Sequence, residues 1–370
     1  MRVLVTPDCF SGTLTAREAA HAIADGWLRQ HPDDDVTVLP LSDGGPGFID
    51  TAAEAFDATL VSAVVSDARG RPIVTHFARW ADVAWIESAQ ACGLDKLGTY
   101  ERDPLDTTSL GVGELINAAI DDGATKIVIG LGGTATNDAG AGALRALGAT
   151  SQSAALDVGG YELRHIKDID FSEAQSRVEG IDIVIASDVD NPLLGLRGAT
   201  AMFSRQKGAD DFAVMQLEGA LEKFAAACGR RSDGKDPAVA LGAGAGGGLG
   251  YGLMMLGAKR VAGIDTVIDA VNLDAAIAEH DLVITGEGCL DDQSLHGKVV
   301  VGVATHSASA GKPCIAIAGE VRLGKRECAS VGLDSAYSMS ELVSRERSLS
   351  DAAEVLSEVT QRVARTWGRR

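Results

Sequence analysis

Both ends of the chain carry the same pattern, and a chain patterned alike at both ends has few ways to fold. At one end "RVLVTPD" reads as an apolar strand, Thr13 or Thr15 as the cap of the helical run "AREAAHAIADGWLRQ", and "DVTVLPLSDGG" as a second strand entering a glycine turn. At the other end "HDLVITGEG" gives a strand, "GKVVVGVATHSASAG" a helix of small residues, and "KPCIAIAGEV" another strand. Such βαβ-type units place their strands parallel and buried. Chain termini of a domain commonly lie close together, so one sheet assembled from both ends is the economical solution.

The middle differs in texture. It has strands of its own, "DVAWIESA", "ATKIVIGLGG" and "IDIVIASDVDNP", and a glycine tract, "GAGAGGGLGYGLMMLGA". At 370 residues the chain is long enough for about two domains. The expected fold class is α/β: a discontinuous parallel-sheet domain from residues 1–65 and 280–370, and a second α/β domain, residues 66–279, inserted into it. The cleft between two such domains is the default place for an active site.

Charge narrows the partners. Lys+Arg 33 against Asp+Glu 52 leaves a net charge of -19, the wrong sign for a surface that neutralises nucleic-acid phosphates or anionic lipid. The partner expected is a small molecule, with no nucleic acid and no membrane, and any positive contact to an anionic substrate must be local. Six scattered cysteines show no C-x-x-C pair and no zinc spacing, which fits a reduced cytoplasmic thiol set. "MRVLVTPD" moves straight into a strand and no apolar run reaches membrane-spanning length, so neither export nor anchoring is expected.

Several strands end in the same chemistry, an acidic or amide side chain beside glycine: "TPDCFSG" (Asp8), "LSDGGPG" (Asp43, Gly44), "GGTATND" (Thr134, Asn137, Asp138), "ASDVDNP" (Asp188, Asp190) and "TGEGCLDDQSLHGK" (Gly286, Glu287, Asp291, Lys298). Loops at the carboxyl ends of parallel strands are where α/β proteins place ligands, and glycine lets backbone N–H groups approach phosphate. Gly130 to Ala135 fits the dinucleotide fingerprint G-x-G-x-x-G/A on paper. The polar run Thr134–Asp138 interrupts the turn, however, and the next acid is Asp157, so neither the helix start nor the ribose partner stands where that site needs it. No G-x-x-x-x-G-K-[ST] and no G-x-S-x-G occurs. The glycine tract from Gly242 to Ala258 reads equally as close packing or as a set of N–H donors facing an anion. "SRQKGAD" puts Lys207 before a glycine, a plausible phosphate partner in so acidic a chain. His296, beside Lys298, is able to titrate near neutrality.

In order, these loops resemble the type I glycerate kinases, the bacterial family that phosphorylates glycerate. The matching segments include "TPDCFSGTLTAREAAHAIADGW", "LSDGGPG", "IESAQACGL", "GATKIVIGLGGTATNDAGAGALRALGA", "SDVDNPLLGLRGATAMFSRQKGA" and "DLVITGEGCLDDQSLHGKVVVGVA", spanning nearly the whole chain. The resemblance implies a discontinuous Rossmann-like domain, a second α/β domain, and an ATP-dependent, Mg²⁺-requiring kinase acting in the cleft, with 2-phosphoglycerate as the usual product. A related hydroxy-acid kinase, or a catalytically weak binding or regulatory protein on the same fold, is the alternative. A homodimer is the assembly to test.

Roles follow from residue type, since phosphoryl transfer to an alcohol needs a positioned donor, neutralised phosphates and an acceptor oxygen aimed in line. Asp188 is expected to contact the acceptor hydroxyl, with Asp190 second, and Lys207 to meet phosphate oxygens. Asp8, Ser11, Asp43, Gly44, Thr134, Asn137 and Asp138 are assigned to the substrate, and Gly286, Glu287, Asp291 and Lys298 to the nucleotide. Asp188 and Glu287 are the metal candidates, because Mg²⁺ typically takes one or two carboxylates and completes its shell with water and phosphate. Against the family's usual D-S-[FY]-K, G-E-G-R-[IL]-D and D-G-G-E-G, this chain has Cys9 and Ser11, Cys289, and Pro46. Each lost charge-assisted hydrogen bond is worth roughly 1.5–3 kcal/mol, so weakened or altered activity is expected unless Arg197, Arg205 or Arg322 supplies replacement charge.

Overall fold

The computed structural model describes the chain except residues 11, 43, 46, 57, 232, 293, 296–298 and 369–370, and except the side chains of 54–56, 265–266 and 269–270. In chain order its strands are β1 (Arg2–Val5), β2 (Asp35–Val38), β3 (Thr59–Ser66), β4 (Pro72–Trp80), β5 (Val83–Glu87), β6 (Lys126–Gly130), β7 (Asp182–Ala186), β8 (Lys259–Val261), β9 (Leu282–Leu290), β10 (Cys314–Val321) and β11 (Ser335–Ser338). The chain divides into two compact units, one of Met1–Asp43, Asp50–Asp57 and Ala262–Arg370, the other of Gly44–Ile49 and Ala58–Val261.

The first unit is built on a five-stranded sheet of order β11-β10-β9-β1-β2 in which every pair is parallel. Its strands are short apolar runs because both faces are covered: Val3, Val5, Ile284, Ile315 and Ile317 are buried in one cluster on one face, and Leu4, Val283 and Ala316 are buried on the other. The helix Ala16–Gln30 begins at Thr15, whose hydroxyl accepts from Glu18 N–H while the Glu18 carboxylate accepts from Thr15 N–H. Thr13, the other cap candidate, turns its hydroxyl to the Phe10 carbonyl at 2.8 Å. The helix Ala352–Trp367 presents Val355, Leu356, Val359, Val363 and Trp367 at helical spacing and packs this apolar stripe inward. From β1 the chain winds to β2 on one side, and from β9 to β10 and β11 on the other. The order therefore reverses between β1 and β9, the switch point at which open parallel sheets leave a crevice.

The second unit carries a six-stranded sheet, β3-β4-β5-β6-β7-β8. From β5 to β8 neighbours are parallel, whereas β3–β4 and β4–β5 are antiparallel. Ile86, Ile127, Ile129, Ile183 and Ile185 from the central strands fill its core together with Leu221, Phe224 and Tyr251. Its fingerprint-like glycines do not open a helix: β6 ends at Gly130 and the next helix, Ala141–Ala146, starts only after the Thr134–Asp138 loop. No helix among the described residues is long and apolar enough to cross a membrane.

Two helical glycines separate propensity from packing. A Cβ on Gly26 would lie 2.3 Å from the Ser357 carbonyl oxygen, whereas one on Gly219, within the helix Asp211–Cys228, meets nothing within 4 Å. Alanine gains about 1 kcal/mol over glycine by helix propensity, and forced overlap in a packed interface costs roughly 1–3 kcal/mol or more. Gly219→Ala is expected to raise the urea midpoint and Gly26→Ala to lower it. Equal shifts for the two would show that the contact between the helices does not constrain Gly26.

Candidate functional site

In the first unit the expected residues gather at the switch point. Asp8 follows β1 and its N–H donates to the Gly286 carbonyl of β9 at 2.8 Å, so the Asp8 and Gly286–Glu287 segments lie side by side. Gly286 must be glycine: a Cβ there would stand 2.1 Å from the Ile317 carbonyl oxygen of β10. The Asp8 carboxylate accepts from Cys9 N–H at 2.7 Å, and both Asp8 and Glu287 are buried. Further along β9, the Cys289 thiol faces Asp291 at 3.7 Å, and the Asp291 N–H donates to the Ser294 hydroxyl. Burial raises the Cys289 thiol above its usual range, with Asp291 and Glu320 adding to the effect and Arg322 opposing it. Arg322 binds Glu320 at 2.9 Å and is electrostatically coupled to Cys289 and Asp291. Of the three arginines weighed as replacements, Arg322 is the one beside Cys289. Arg205 pairs with Asp211, and the Arg197 carbonyl accepts from Asn191.

In the second unit the gathering point is the loop after β6. Lys207, on a 3-10 turn Arg205–Lys207, is only 3% exposed and reaches the Thr136 carbonyl at 2.7 Å and the Thr134 hydroxyl at 3.3 Å. Burial pushes its amine down to about 8, opposed by Cys92 and Asp138. The Cys92 thiol is in turn pushed up to about 12 by burial and by Asp138. Residues 134, 136, 138 and 207 thus form one cluster that sequence separation conceals.

Within it the roles diverge. Asp138 is fully buried and accepts from Ser109 N–H and Oγ–H, both 2.8 Å, and from the N–H groups of Gly140 and Gly142. Burial still raises its carboxyl, against the pull of those donors. Its oxygens hold the start of the helix Ala141–Ala146 to the Ser109 segment. Asn137 is also buried, its amide donating to Thr200 Oγ1 at 3.0 Å. The glycine tract supports this loop by close packing. Gly246, Gly247 and Gly248 have φ of 62°, 69° and 89°, and a Cβ on Gly247 would lie 1.9 Å from the Thr136 carbonyl oxygen.

The remaining residues line neighbouring strand ends. Gly44, at φ 94°, accepts from Gly132 N–H at 3.1 Å, and a Cβ on it would stand 2.5 Å from the Ala186 oxygen. Asp188 is half-buried just beyond β7, while Asp190 is exposed and paired with Arg260 at 2.8 Å. Arg260 also donates to the Ser187 carbonyl at 2.9 Å, which ties β8 to the end of β7. Glu87, buried at the end of β5, accepts from Gly47 N–H at 3.0 Å. The sequence reading did not single it out, although the quoted "IESAQACGL" contains it. Of the metal candidates, Asp188 lies in the second unit and Glu287 in the first, and no three metal-ligating side chains cluster among the described residues. Ser11, Asp43, Pro46, His296 and Lys298 lie outside the described residues.

The profile of the glycerate kinase family matches residues 3–368, and the chain belongs to that family. It is 38% identical over 371 residues to the glycerate kinase of Bacillus subtilis (strain 168), covering 99% of this chain and 96% of that protein. It is 39% identical to the glycerate 2-kinase of Escherichia coli (strain K12), covering 92% of this chain and 90% of that one. A crystal structure from Salmonella typhimurium LT2 that carries the name glycerate kinase 2 superposes with a TM-score of 0.82 at 38% identity, over 100% of this chain and 98% of that one.

The depressed Lys207 amine has a consequence for stability. Between pH 8 and its unfolded value of 10.5 the unfolded chain holds the proton and the folded chain has released it, so this group makes stability rise with pH across that window. The raised Cys92 thiol acts in the opposite sense from pH 9 to about 12, because there the folded chain is the one that keeps its proton. Unfolding free energies of the parent and Lys207→Met, compared at each pH, isolate the lysine. The difference should shift in the parent's favour by roughly 3 kcal/mol between pH 8 and 10.5. A flat difference would mean that Lys207 is not buried as an amine.

Proposed function

We propose that this chain phosphorylates glycerate with ATP and magnesium, releasing 2-phosphoglycerate, as a cytoplasmic enzyme. The observation that carries the reading is the Lys207 cluster: in a chain of net charge -19, one buried ammonium is held by the neutral oxygens of Thr134 and Thr136. Among the described residues no carboxylate binds it directly, so its charge stays available to an anionic ligand. At neutral pH an amine titrating at about 8 is mostly charged.

In this reading Lys207 and Thr134 meet an anionic oxygen of the substrate. Asp188 orients the acceptor hydroxyl, and Asp190, already paired with Arg260, supports it from the same loop. Asn137 and Asp138 act by fixing the loop. Asp8, Gly286 and Glu287 at the switch point receive the nucleotide, with Asp291 beyond them. The donor set there suits magnesium, since buried carboxylates are hard oxygen ligands and such an ion keeps much of its shell as water and phosphate oxygen. Glu287, and Asp188 in its own unit, are the carboxylates offered to it. When bound, the ion neutralises charge on the phosphate oxygens.

The support is convergent: the family, the relatives named glycerate kinases, and a switch point lined by acid and glycine all favour phosphoryl transfer to a small hydroxy acid. A coupled assay of ADP release with D-glycerate, ATP and Mg²⁺, followed by NMR of the product, tests it. Turnover giving the 2-phosphate is expected, with Asp188→Asn lowering kcat by about 100-fold or more. Thermal stabilisation by glycerate or ATP without ADP release would instead identify a binding protein on this fold.

A further inference from the structure

The second unit holds an open cavity of about 920 Å³ away from the Lys207 cluster, and its lining runs against the charge of the whole chain. Arg164, His165, Lys167 and Lys223 line it, as do Gln152 and Ala226. Like charges converging on one cavity repel one another, an arrangement that an anion relieves. Among the described residues none of Arg164, Lys167 and Lys223 makes an ion pair with a carboxylate. Asp168, next to Lys167, accepts from the N–H of the lining residue Gln152 at 2.8 Å and pairs with none of these cations among the described residues.

Two of the cations, Arg164 and Lys223, are also held in place. The Arg164 guanidinium stacks 3.5 Å over the Tyr161 ring and donates to the Tyr161 carbonyl at 2.9 Å. The Lys223 ammonium, carried by the helix Asp211–Cys228, donates to the Arg164 carbonyl at 2.8 Å, which brings it to the arginine's own turn of chain. Tyr161 is fixed in turn by Gln216, whose amide donates to its hydroxyl at 3.0 Å. Side chains already ordered lose less entropy when an anion arrives. Arg164 presents a planar fork suited to paired oxygens and Lys223 a point charge with donors to spare.

We infer that this cavity is a second binding site, for a small polyanion carrying phosphate or carboxylate groups. The site does not rest on the kinase reading, and a failed ADP assay leaves it standing. Calorimetric titration of the full chain with inorganic pyrophosphate, and in parallel with citrate, tests it and shows which oxyanion is preferred. One saturable phase is expected to weaken about tenfold or more in Ala226→Glu, which adds a carboxylate to the cavity wall while leaving the existing hydrogen bonds intact. The paired substitution of Lys167→Gln and Lys223→Gln should act in the same direction, and Lys207→Met should leave that phase unchanged. If neither anion binds saturably, if no phase responds to Ala226→Glu or to the paired variant, or if Lys207→Met removes the responding phase, the assignment is wrong.

Discussion

The backbone of Thr136–Ala139 lies against the backbone of Gly246–Gly248 with no side chain between them, and the Lys207 cluster of the second unit depends on that approach. Ala139 N–H donates to the Gly247 carbonyl at 3.1 Å, a main-chain bond that joins the two segments directly. Three successive left-handed residues are tolerable only as glycine, and at Gly247 and Gly248 the neighbouring backbone leaves no room for a Cβ either. With the loop held there, the Thr136 carbonyl is fixed where Lys207 can donate to it. A buried ammonium without such acceptors would cost several kcal/mol. The arrangement solves two problems at once: the charge is satisfied by hydrogen bonds, and it is not cancelled by an ion-pair partner.

Much of the fold was legible because burial writes itself into strands. β1, β9 and β10 read as continuous apolar runs since both faces of their sheet are covered, and two candidate caps, Thr13 and Thr15, announced the first helix, of which Thr15 is the one that caps it. The β3–β4 hairpin escaped notice for the converse reason. Its solvent face carries Leu60, Val64 and Val74, with Val64 and Val74 paired across the strands, so the apolar-in, polar-out alternation that marks a half-buried strand is missing.

The site was legible only in parts. Residue type and glycine context found Thr134, Asp138 and Lys207, but nothing in a linear chain indicates that residue 207 returns to residue 136. Nor does it say that Asp138 faces Ser109 rather than solvent: an aspartate before a helix reads the same as a cap or as a ligand. The question raised by Cys289 has a similar answer. Glu320 is its register partner on β10, and Arg322, two residues on, returns to the same face. A positive charge therefore stands beside Cys289, supplied from a strand whose sequence distance hides the neighbourhood.

The pairing of Val3 with Leu282 sets an order of events during synthesis. β1 pairs with β2 early, but it cannot find its other parallel neighbour, β9, until the whole of Ala58–Val261 has left the ribosome, on the order of half a minute later at typical elongation rates. By then the second unit has all of its strands available. The nascent chain thus carries an early β1–β2 pair whose second β1 edge has to wait for β9, and that interval, more than the finished structure, is where a chaperone has something to hold.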